Sequence, residues 1–440
     1  MRIVPIKDNS KKKKESFSDI TNLTAKIADK SLEQLEREGI FVFPEMLKDA
    51  EDVTRDQIIL QSRNDDYCTG NVMGFLGYGE ERLVIRSRFS QDDREDYFFQ
   101  YLLDKVLDFP NIVDLKSDAD PNSRLFSFLL FLFPFYLKKA MRKGVFKEYI
   151  RRQYNDDNVK GMIDIPRHID KNIPFIGNIA YSQREFSFDN HLTELIRHTI
   201  EYIKKKPYGN TLLVKAKEEV KQIVDATPSY ELYNRQKIIE ENKKNIVRHA
   251  YFREYRELQR LCLLILQHQK HQIGTGIREI YGILFDGAWL WEEYVNTLIG
   301  CYFHHPMNKS KKGAQRLFSG NNGVIYPDFI GKNEMQWVIA DAKYKPNRNI
   351  GSEDYLQVLA YMYRFDAKVG YYLYPESENG TDLKLWLNRG TSYENNVKPR
   401  EDVSVIKHGL KIPAEATDYE SFVVQMKENE RDFISTFDNK

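Results

Sequence analysis

The segment that most restricts how this chain can fold is Val338–Lys345, where a run typical of a buried β-strand also carries charged side chains. Successive side chains of a strand point to opposite faces, so Asp341 and Lys343 share one face while the other face is apolar. Charges on an inner strand are costly unless they are compensated. A second carboxylate, Asp328, lies shortly upstream. A divalent cation would compensate both aspartates, and the sequence therefore predicts a metal site on a sheet.

The loop between the two aspartates decides whether they can share a cation. If Gly331–Glu334 were a tight four-residue loop, Asp328 would lie opposite Trp337, about four residues and roughly 13 Å from Asp341. A wider loop, or a bulge at Pro327, keeps the facing and brings the two carboxylates together. We therefore expect Asp328 to pair near Asp341.

Two flanking helices add polar groups to this predicted site. Gln357 and Tyr361 are four residues apart in a helix predicted over Ser352–Phe365, so they lie on one helix face. An amide and a phenol beside a metal can orient a phosphate or a water. The helix predicted before the hairpin supplies a further carboxylate, either Glu292 or Glu293.

This set of residues resembles the PD-(D/E)xK nuclease superfamily in its RecB-like branch. In that branch a helical glutamate precedes the hairpin, and a QxxxY helix follows the D/E-x-K strand. The matching residues, in the family's order, are Glu292, Asp328, Asp341, Lys343, Gln357 and Tyr361. The stretches Gly161–Ile165, Arg184–Leu192 and Asp341–Lys345 narrow the resemblance to the McrC family, the nuclease subunits of McrBC-type and LlaJI-type restriction systems. This resemblance covers roughly residues 155–375.

The resemblance implies metal-dependent hydrolysis of DNA phosphodiester bonds, with Mg²⁺ as the cofactor and Mn²⁺ as a possible substitute. The implied metal ligands are Asp328, Asp341, Glu292 and the carbonyl of Ala342. Oxygen atoms of this kind are the ligands that Mg²⁺ prefers. Lys343 would orient the attacking water, while Gln357 and Tyr361 would position the scissile phosphate of double-stranded DNA.

The resemblance also implies a partner protein. McrC-type subunits dock on a hexameric AAA+ GTPase of the McrB type and stimulate its hydrolysis of nucleotide. This chain has no GxxxxGK[ST] sequence, so it is not itself the P-loop NTPase. We expect the N-terminal part to dock on the partner, and the partner to recognise the DNA bases.

Other interpretations stay open from the sequence alone. Asp341 and Lys343 could be an ordinary strand-borne ion pair. The chain could be a non-catalytic adaptor with a degenerate nuclease fold that activates the AAA+ partner, or a stand-alone repair nuclease. The pair His304-His305 is expected to have a solvent or core role rather than to bind metal.

The predicted fold class is α+β or α/β, with a nuclease core of restriction-endonuclease type following an N-terminal mixed region. We divide the chain into a basic arm (residues 1–16), a partner-binding β and helical domain (17–175), a helical region (176–280) and the nuclease core (281–440). Residues 1–14 carry six positive and one negative side chain, a net charge of +5. We expect them to form a solvated tail or a contact arm.

Hydrophobic periodicity and the positions of turn-forming residues predict the local helices and strands. The segment 56–90 is expected to be rich in strands, and 150–184 to be irregular. A very apolar helix over Arg124–Tyr149 is expected to break at Pro134, and another helix is expected over Ile283–Tyr302. The basic loop Lys309–Arg316 is expected either to guide the DNA backbone or to be solvated.

Composition and charge exclude several classes of protein for this chain. The 440 residues carry 66 Lys+Arg and 65 Asp+Glu, a net charge of +1, which excludes a histone-like binder and argues against strong autonomous DNA binding. The longest apolar stretch, Leu125–Leu137, is shorter than the roughly 20 residues of a membrane span. Three cysteines without a CxxC favour a reducing compartment. We expect a cytoplasmic protein without a membrane contact.

Overall fold

A computed structural model gives the fold of the chain. It describes residues 2–38, 40–43, 57–90, 95–107, 121–206, 208–271, 280–306, 313–320, 322–332, 337–377, 380–390 and 398–438. The chain divides into two compact units: unit 1 comprises Met1–Lys116 with Ile277–Lys440, and unit 2 is Ser117–Gly276. Unit 2 is therefore an insertion in the sequence of unit 1. The predicted boundaries at residues 175 and 280 differ from this division.

The strands are β1 (Arg2–Lys7), β2 (Lys11–Lys13), β3 (Ile40–Phe43), β4 (Leu60–Arg63), β5 (Asp66–Thr69), β6 (Val72–Tyr78), β7 (Glu81–Arg86), β8 (Glu148–Asp156), β9 (Met162–Ile163), β10 (Ile179–Ser187), β11 (Ile280–Asp286), β12 (Phe303–His304), β13 (Gln315–Arg316), β14 (Val324–Ile325), β15 (Phe329–Gly331), β16 (Val338–Ala342), β17 (Val369–Glu376), β18 (Leu383–Arg389) and β19 (Lys398–Lys411). The helices are α1 (Thr21–Ile27), α2 (Leu32–Arg37), α3 (Tyr97–Leu107), α4 (Pro121–Met141), α5 (Ile165–Lys171), α6 (His191–Lys204), α7 (Gly209–Val214), α8 (Lys217–Ala226), α9 (Arg235–Lys244), α10 (Glu254–His271), α11 (Gly287–Ile299), α12 (Ser352–Arg364) and α13 (Tyr419–Asp438). The fold is thus mixed α+β, as predicted.

The first sheet of unit 1 has five strands in the order β1-β7-β6-β11-β3. The predicted basic arm is not a free tail, because β1 pairs in parallel with β7 along its whole length. Val4 and Ile6 alternate on β1 and are buried in the core that the sheet shares with α1 and α2. The lysine run Lys11–Lys13 forms β2 and pairs with β5. The strand-rich region predicted over residues 56–90 is confirmed.

The second sheet of unit 1 has six strands in the order β12-β15-β16-β17-β19-β18. Strands β16, β17 and β19 are parallel neighbours, and β15 pairs antiparallel with β16. The central strand β17 is buried from Gly370 to Glu376, as expected of a parallel strand covered on both faces. Val358 and Met362 of α12 pack against this sheet. Helix α11 precedes β12, α12 lies between β16 and β17, and α13 follows β19.

The helix predicted over Ile283–Tyr302 begins later than expected. Residues Ile280–Asp286 form β11, a central strand of the first sheet, and α11 begins at Gly287. Asp286 caps α11, since its Oδ1 accepts hydrogen bonds from the backbone N–H groups of Ala288 (2.9 Å) and Trp289 (3.2 Å). The run Ile-Tyr-Gly-Ile-Leu-Phe is apolar on both faces, and periodicity alone cannot separate a buried strand from a helix.

Unit 2 combines helices with a long antiparallel pair of strands. The segment 150–184 was predicted to be irregular, and this is wrong, because β8 and β10 pair over nine residues each. Helix α4 continues through Pro134 instead of breaking there. The predicted boundary at residue 175 falls inside this unit, where Arg167 of α5 donates a 2.6 Å hydrogen bond to the carbonyl of Tyr181 on β10. Within the described residues, no helix is long and apolar enough to cross a membrane.

Candidate functional site

The β15–β16 hairpin places the two predicted aspartates opposite each other. Phe329 pairs with Ala340 and Ile330 with Ile339, and continuing this register by one position sets Asp328 opposite Asp341. The backbone N–H of Ala342 donates a 2.9 Å hydrogen bond to Oδ2 of Asp328. The hairpin therefore has the wide loop that was predicted, although residues 333–336 of that loop lie outside the described part.

Lys343 connects the hairpin to α12. Its Nζ lies 2.7 Å from Oδ2 of Asp341 and donates a 2.8 Å hydrogen bond to Oε1 of Gln357. The Gln357 amide donates in turn to the Tyr361 hydroxyl at 2.8 Å, and that hydroxyl donates to the Tyr326 carbonyl at 3.3 Å. This chain of contacts joins the predicted lysine, glutamine and tyrosine into one polar network beside the buried Asp341.

Negative charge is concentrated around Asp328. Burial raises the pKa of this carboxyl well above its usual range, and the charges of Glu292 and Asp341 raise it further. Lys343 and the Ala342 N–H act in the opposite direction. Burial lowers the pKa of Lys343, but the charges of Asp341 and Asp328 outweigh it and hold the ammonium protonated. Three carboxylates and one cation thus share a region with little solvent to separate them.

Helix α11 supplies the third carboxylate. Glu292 is 8% exposed, and the neighbouring Trp291 anchors the helix by donating a 3.0 Å hydrogen bond from its indole to the Leu373 carbonyl of β17. The charge of Glu292 is among those that raise the pKa of Asp328.

His305 contacts the carboxyl groups of the candidate site, a contact that was not predicted from the sequence. Its Nε2 lies 3.8 Å from Oε1 of Glu292 and 3.5 Å from Oε1 of Glu293. Its Nδ1 lies 2.9 Å from the Asp328 carbonyl, and its ring stacks on Phe329 at 5.0 Å between centroids. No local pattern signals this contact, because it depends on how α11 sits against the hairpin.

The site also touches the first sheet of unit 1 through the residue after Lys343. The Tyr344 hydroxyl is buried and lies 2.7 Å from Oγ of Ser87, at the end of β7. The guanidinium of Arg88 lies 4.9 Å from the centre of the Tyr344 ring. The strand that carries Asp341 is therefore fixed at its carboxyl end by the N-terminal part of unit 1.

The donor atoms have the chemistry that suits a hard divalent cation, but they are not arranged around one. Among the residues that the structure describes, no group of three or more His, Cys, Asp or Glu side chains is placed to hold a metal ion. The Lys343 ammonium instead lies against Asp341. Carboxylate and carbonyl oxygens nevertheless match the preference of Mg²⁺, and three mutually repelling carboxylates would be relieved by such an ion. Half of the predicted basic loop Lys309–Arg316, residues 309–312, lies outside the described residues.

Comparison with known proteins finds a matching family model and similar solved structures. Residues 68–375 match the family model described as McrBC 5-methylcytosine restriction system component. A chain in the assembly of Thermococcus gammatolerans McrB AAA+ hexamers with bound McrC shares 16% identity and a TM-score of 0.51, covering 99% of this chain and 99% of that chain. A chain of the Thermococcus gammatolerans McrBC complex shares 16% identity and a TM-score of 0.33, covering 68% of this chain and 87% of its own length. No curated protein sequence matches.

Proposed function

The chain belongs to the family of McrBC 5-methylcytosine restriction system components, and we propose that within such a system it is the subunit that cleaves DNA. The proposed reaction is Mg²⁺-dependent hydrolysis of phosphodiester bonds in double-stranded DNA, by a domain of PD-(D/E)xK type. One observation carries this proposal: Asp328 faces Asp341 on a hairpin, with the Lys343 ammonium 2.7 Å from Asp341. Two facing acidic residues with a lysine beside one of them are the minimal residue set of a PD-(D/E)xK site.

Each residue of the site has a role in this chemistry. Asp328, Asp341, Glu292 and the Ala342 carbonyl would hold Mg²⁺, which when bound supplies a water of lowered pKa and neutralises charge on the phosphate. Lys343 stays protonated, so it can orient the attacking water and stabilise the negative charge that develops on the phosphate oxygens. Gln357 and Tyr361 hold the lysine from α12 and present an amide and a hydroxyl to the scissile phosphate.

We further propose that the chain acts while docked on a hexameric AAA+ GTPase and stimulates it. The Thermococcus gammatolerans assembly contains McrB AAA+ hexamers with bound McrC, and its chain shares this fold. A short segment of unit 2 offers a surface for such a partner. Its large apolar side chains are each more than half exposed, and they are Met162, Ile163, Ile165, Ile169, Ile173, Phe175 and Ile176. Apolar patches of this kind mark protein interaction sites.

A second candidate function has one specific observation in its favour. The Lys343 ammonium occupies a position against Asp341, and the described residues include no preformed cluster of metal ligands. The same arrangement would suit a non-catalytic adaptor that keeps a nuclease fold only to bind and activate the AAA+ partner.

Replacement of Asp341 separates the two functions. The Asp341→Asn variant would be combined with the cognate AAA+ GTPase, Mg²⁺, GTP and modified double-stranded DNA, and both DNA cleavage and GTP hydrolysis would be measured. A nuclease loses cleavage by at least about 100-fold and keeps the stimulation of GTP hydrolysis. Asp432→Asn, on the exposed face of α13, is the matched control and should retain both activities. Unchanged cleavage by Asp341→Asn would leave the adaptor as the function.

A further inference from the structure

One face of the β8–β10 pair combines positive charge with exposed aromatic rings. Tyr149 on β8 pairs with Phe186 on β10, and Arg151 pairs with Arg184. Since side chains alternate along a strand, these four residues point to the same face. Both rings are more than half exposed, Tyr149 at 62% and Phe186 at 54%.

The same face continues at the ends of the two strands. Lys147 precedes β8 and Phe188 follows β10, and the Lys147 Nζ lies 3.8 Å from the centre of the Phe188 ring and 5.5 Å from that of Phe186. The Arg184 guanidinium lies 4.9 Å from the centre of the Tyr149 ring. We call the six residues Lys147, Tyr149, Arg151, Arg184, Phe186 and Phe188 the cationic face. They comprise three cations and three aromatic rings, and no carboxylate.

The cationic face forms one wall of a large groove within unit 2. This groove has a volume of about 1120 Å³, and its other walls include Arg248, His249 and Phe252. Other carboxyl groups also line the groove. Burial raises the pKa values of Glu148 and Glu194, and Glu241 pairs with Lys244 at 3.8 Å. Asp189 is neutralised by Arg152 at 2.9 Å. The positive charge of the groove is therefore concentrated on the cationic face, beside its aromatic rings.

Part of the groove wall is the stretch Arg184–Leu192, which contributes nothing to the hairpin with Asp328 and Asp341. Its Asn190 is buried at the start of α6, and its Asp189 holds Arg152 of β8. These contacts fix the end of β10 against α6, so that the rings and cations of the cationic face are presented from a rigid support. The charged and aromatic residues of this stretch therefore line or support the groove and are not part of the candidate site around Asp328 and Asp341.

We propose that this groove binds a single-stranded segment of DNA. Bases stack on Tyr149 and Phe186, while the phosphates lie along Lys147, Arg151 and Arg184. Stacking on aromatic side chains combined with a positive track for the backbone is how proteins hold single strands without reading their sequence. The choice of DNA over RNA rests on the proposed function, whereas the surface itself is independent of the nuclease site.

The distribution of rings favours a single strand over the other possible ligands. A duplex keeps its bases stacked inside, so it would use the three cations and leave the exposed rings without a role. An acidic protein segment would pair with the cations through its carboxylates, and its charge would make no use of the exposed rings. Only unstacked bases use both components of the face.

Binding of fluorescein-labelled oligothymidine of about 20 nucleotides tests the proposal. Fluorescence anisotropy would be measured with the full chain, without the AAA+ partner and in EDTA, so that failure of the proposed nuclease activity cannot affect the result. We expect the paired replacement Tyr149→Leu with Phe186→Leu, which keeps apolar side chains but removes the rings, to raise Kd about ten-fold or more. The same variant should weaken binding of a duplex of equal length much less.

A second pair of replacements tests the charges independently. Arg151→Gln with Arg184→Gln should lower the slope of log Kd against log salt by about 1.4, since each phosphate contact of a single strand contributes about 0.7. Tyr233→Leu and Lys221→Gln remove one exposed ring and one exposed lysine elsewhere in unit 2 and should leave Kd unchanged.

Three results would overturn the proposal. They are the absence of oligothymidine binding by the wild-type chain, an unchanged Kd in both pairs of variants, and equal weakening by the control replacements. Loss of AAA+ partner binding in the variants, without any effect on oligothymidine, would instead assign the groove to a protein ligand and would equally overturn it.

Discussion

The Nζ of Lys343 lies 2.7 Å from Oδ2 of Asp341, two residues earlier in the chain and on the same face of the sheet. The same Nζ donates to Gln357 at 2.8 Å, so one ammonium joins the hairpin carboxylate to α12. The pKa of Lys343 is raised because Asp341 and Asp328 outweigh the effect of burial, so the protonated ammonium form is favoured. This contact places the Lys343 ammonium among the residues of the candidate site.

Lys343→Met should abolish most of the DNA cleavage of the reconstituted complex. The replacement keeps the length of the side chain but removes the charge that stabilises the phosphate in the transition state, and we expect kcat to fall by about 100- to 1000-fold. Lys345→Met is the matched control, because Lys345 pairs with Asp354 at 2.7 Å rather than with Asp341. Single-turnover cleavage rates of the two variants give the comparison. Equal rates for both would remove Lys343 from the mechanism.

His305→Ala should weaken the site although His305 is not one of the proposed metal ligands. The imidazole connects Glu292 and Glu293 of α11 with the Asp328 carbonyl, and its loss should loosen the third carboxylate. Replacing a residue that hydrogen-bonds to metal ligands, without binding the metal itself, typically lowers metal affinity or activity by about 10- to 100-fold. The Mg²⁺ concentration for half-maximal cleavage should therefore rise in His305→Ala and stay constant in His304→Ala, whose side chain is exposed. A change of equal size in both variants would argue against a positioning role.

His198 should make unit 2 sensitive to acid. Burial lowers its pKa to about 4, and the charges of Arg235 and Arg197 act in the same direction. Neither ring nitrogen has a hydrogen-bond partner in the described structure, and the ring lies 4.7 Å from that of Tyr230. Because the pKa is lower in the folded chain than in the unfolded one, the contribution is fully present above about pH 6.5. It is lost as the pH falls toward 4, by up to about 3 kcal/mol.

Hydrogen exchange of peptides from α6 measures this effect. In the wild-type chain, protection of His191–Lys204, compared at equal intrinsic exchange rates, should fall between pH 6.5 and pH 4. In His198→Leu the fall should be clearly smaller, because no buried group then gains a proton on unfolding. His249→Leu replaces an exposed histidine of the same unit and should behave like the wild type. An identical pH dependence in His198→Leu would show that other groups control the acid stability.

The site was predictable to the extent that its geometry is local. The alternation along β16 put Asp341 and Lys343 on one face, and the spacing of four residues put Gln357 and Tyr361 on one side of α12. The register of Asp328 followed from the requirement that two carboxylates approach each other. His305 was missed because its contacts with Glu292 and Glu293 arise from the packing of separate elements, which leaves no periodic pattern in the sequence.

The strands that were missed had weak or ambiguous patterns. On β8 the sequence Glu-Tyr-Ile-Arg-Arg-Gln-Tyr-Asn-Asp has polar side chains on both faces, because neither face is fully buried, and an apolar alternation is therefore absent. On β1 the alternating Val4 and Ile6 were outweighed by the lysine run that follows them. On β11 the apolar side chains cover both faces, so the strand resembled the start of the next helix.

Binding of Mn²⁺, followed by electron paramagnetic resonance in the absence of DNA and of the AAA+ partner, tests most directly whether these carboxylates form a metal-dependent nuclease centre. The wild-type chain should bind Mn²⁺ in competition with Mg²⁺. Asp328→Asn should weaken that binding at least ten-fold, because Asp328 faces Asp341 across the hairpin and the charges of both Asp341 and Glu292 act on it. Equal Mn²⁺ binding by the wild-type chain and Asp328→Asn would contradict the account.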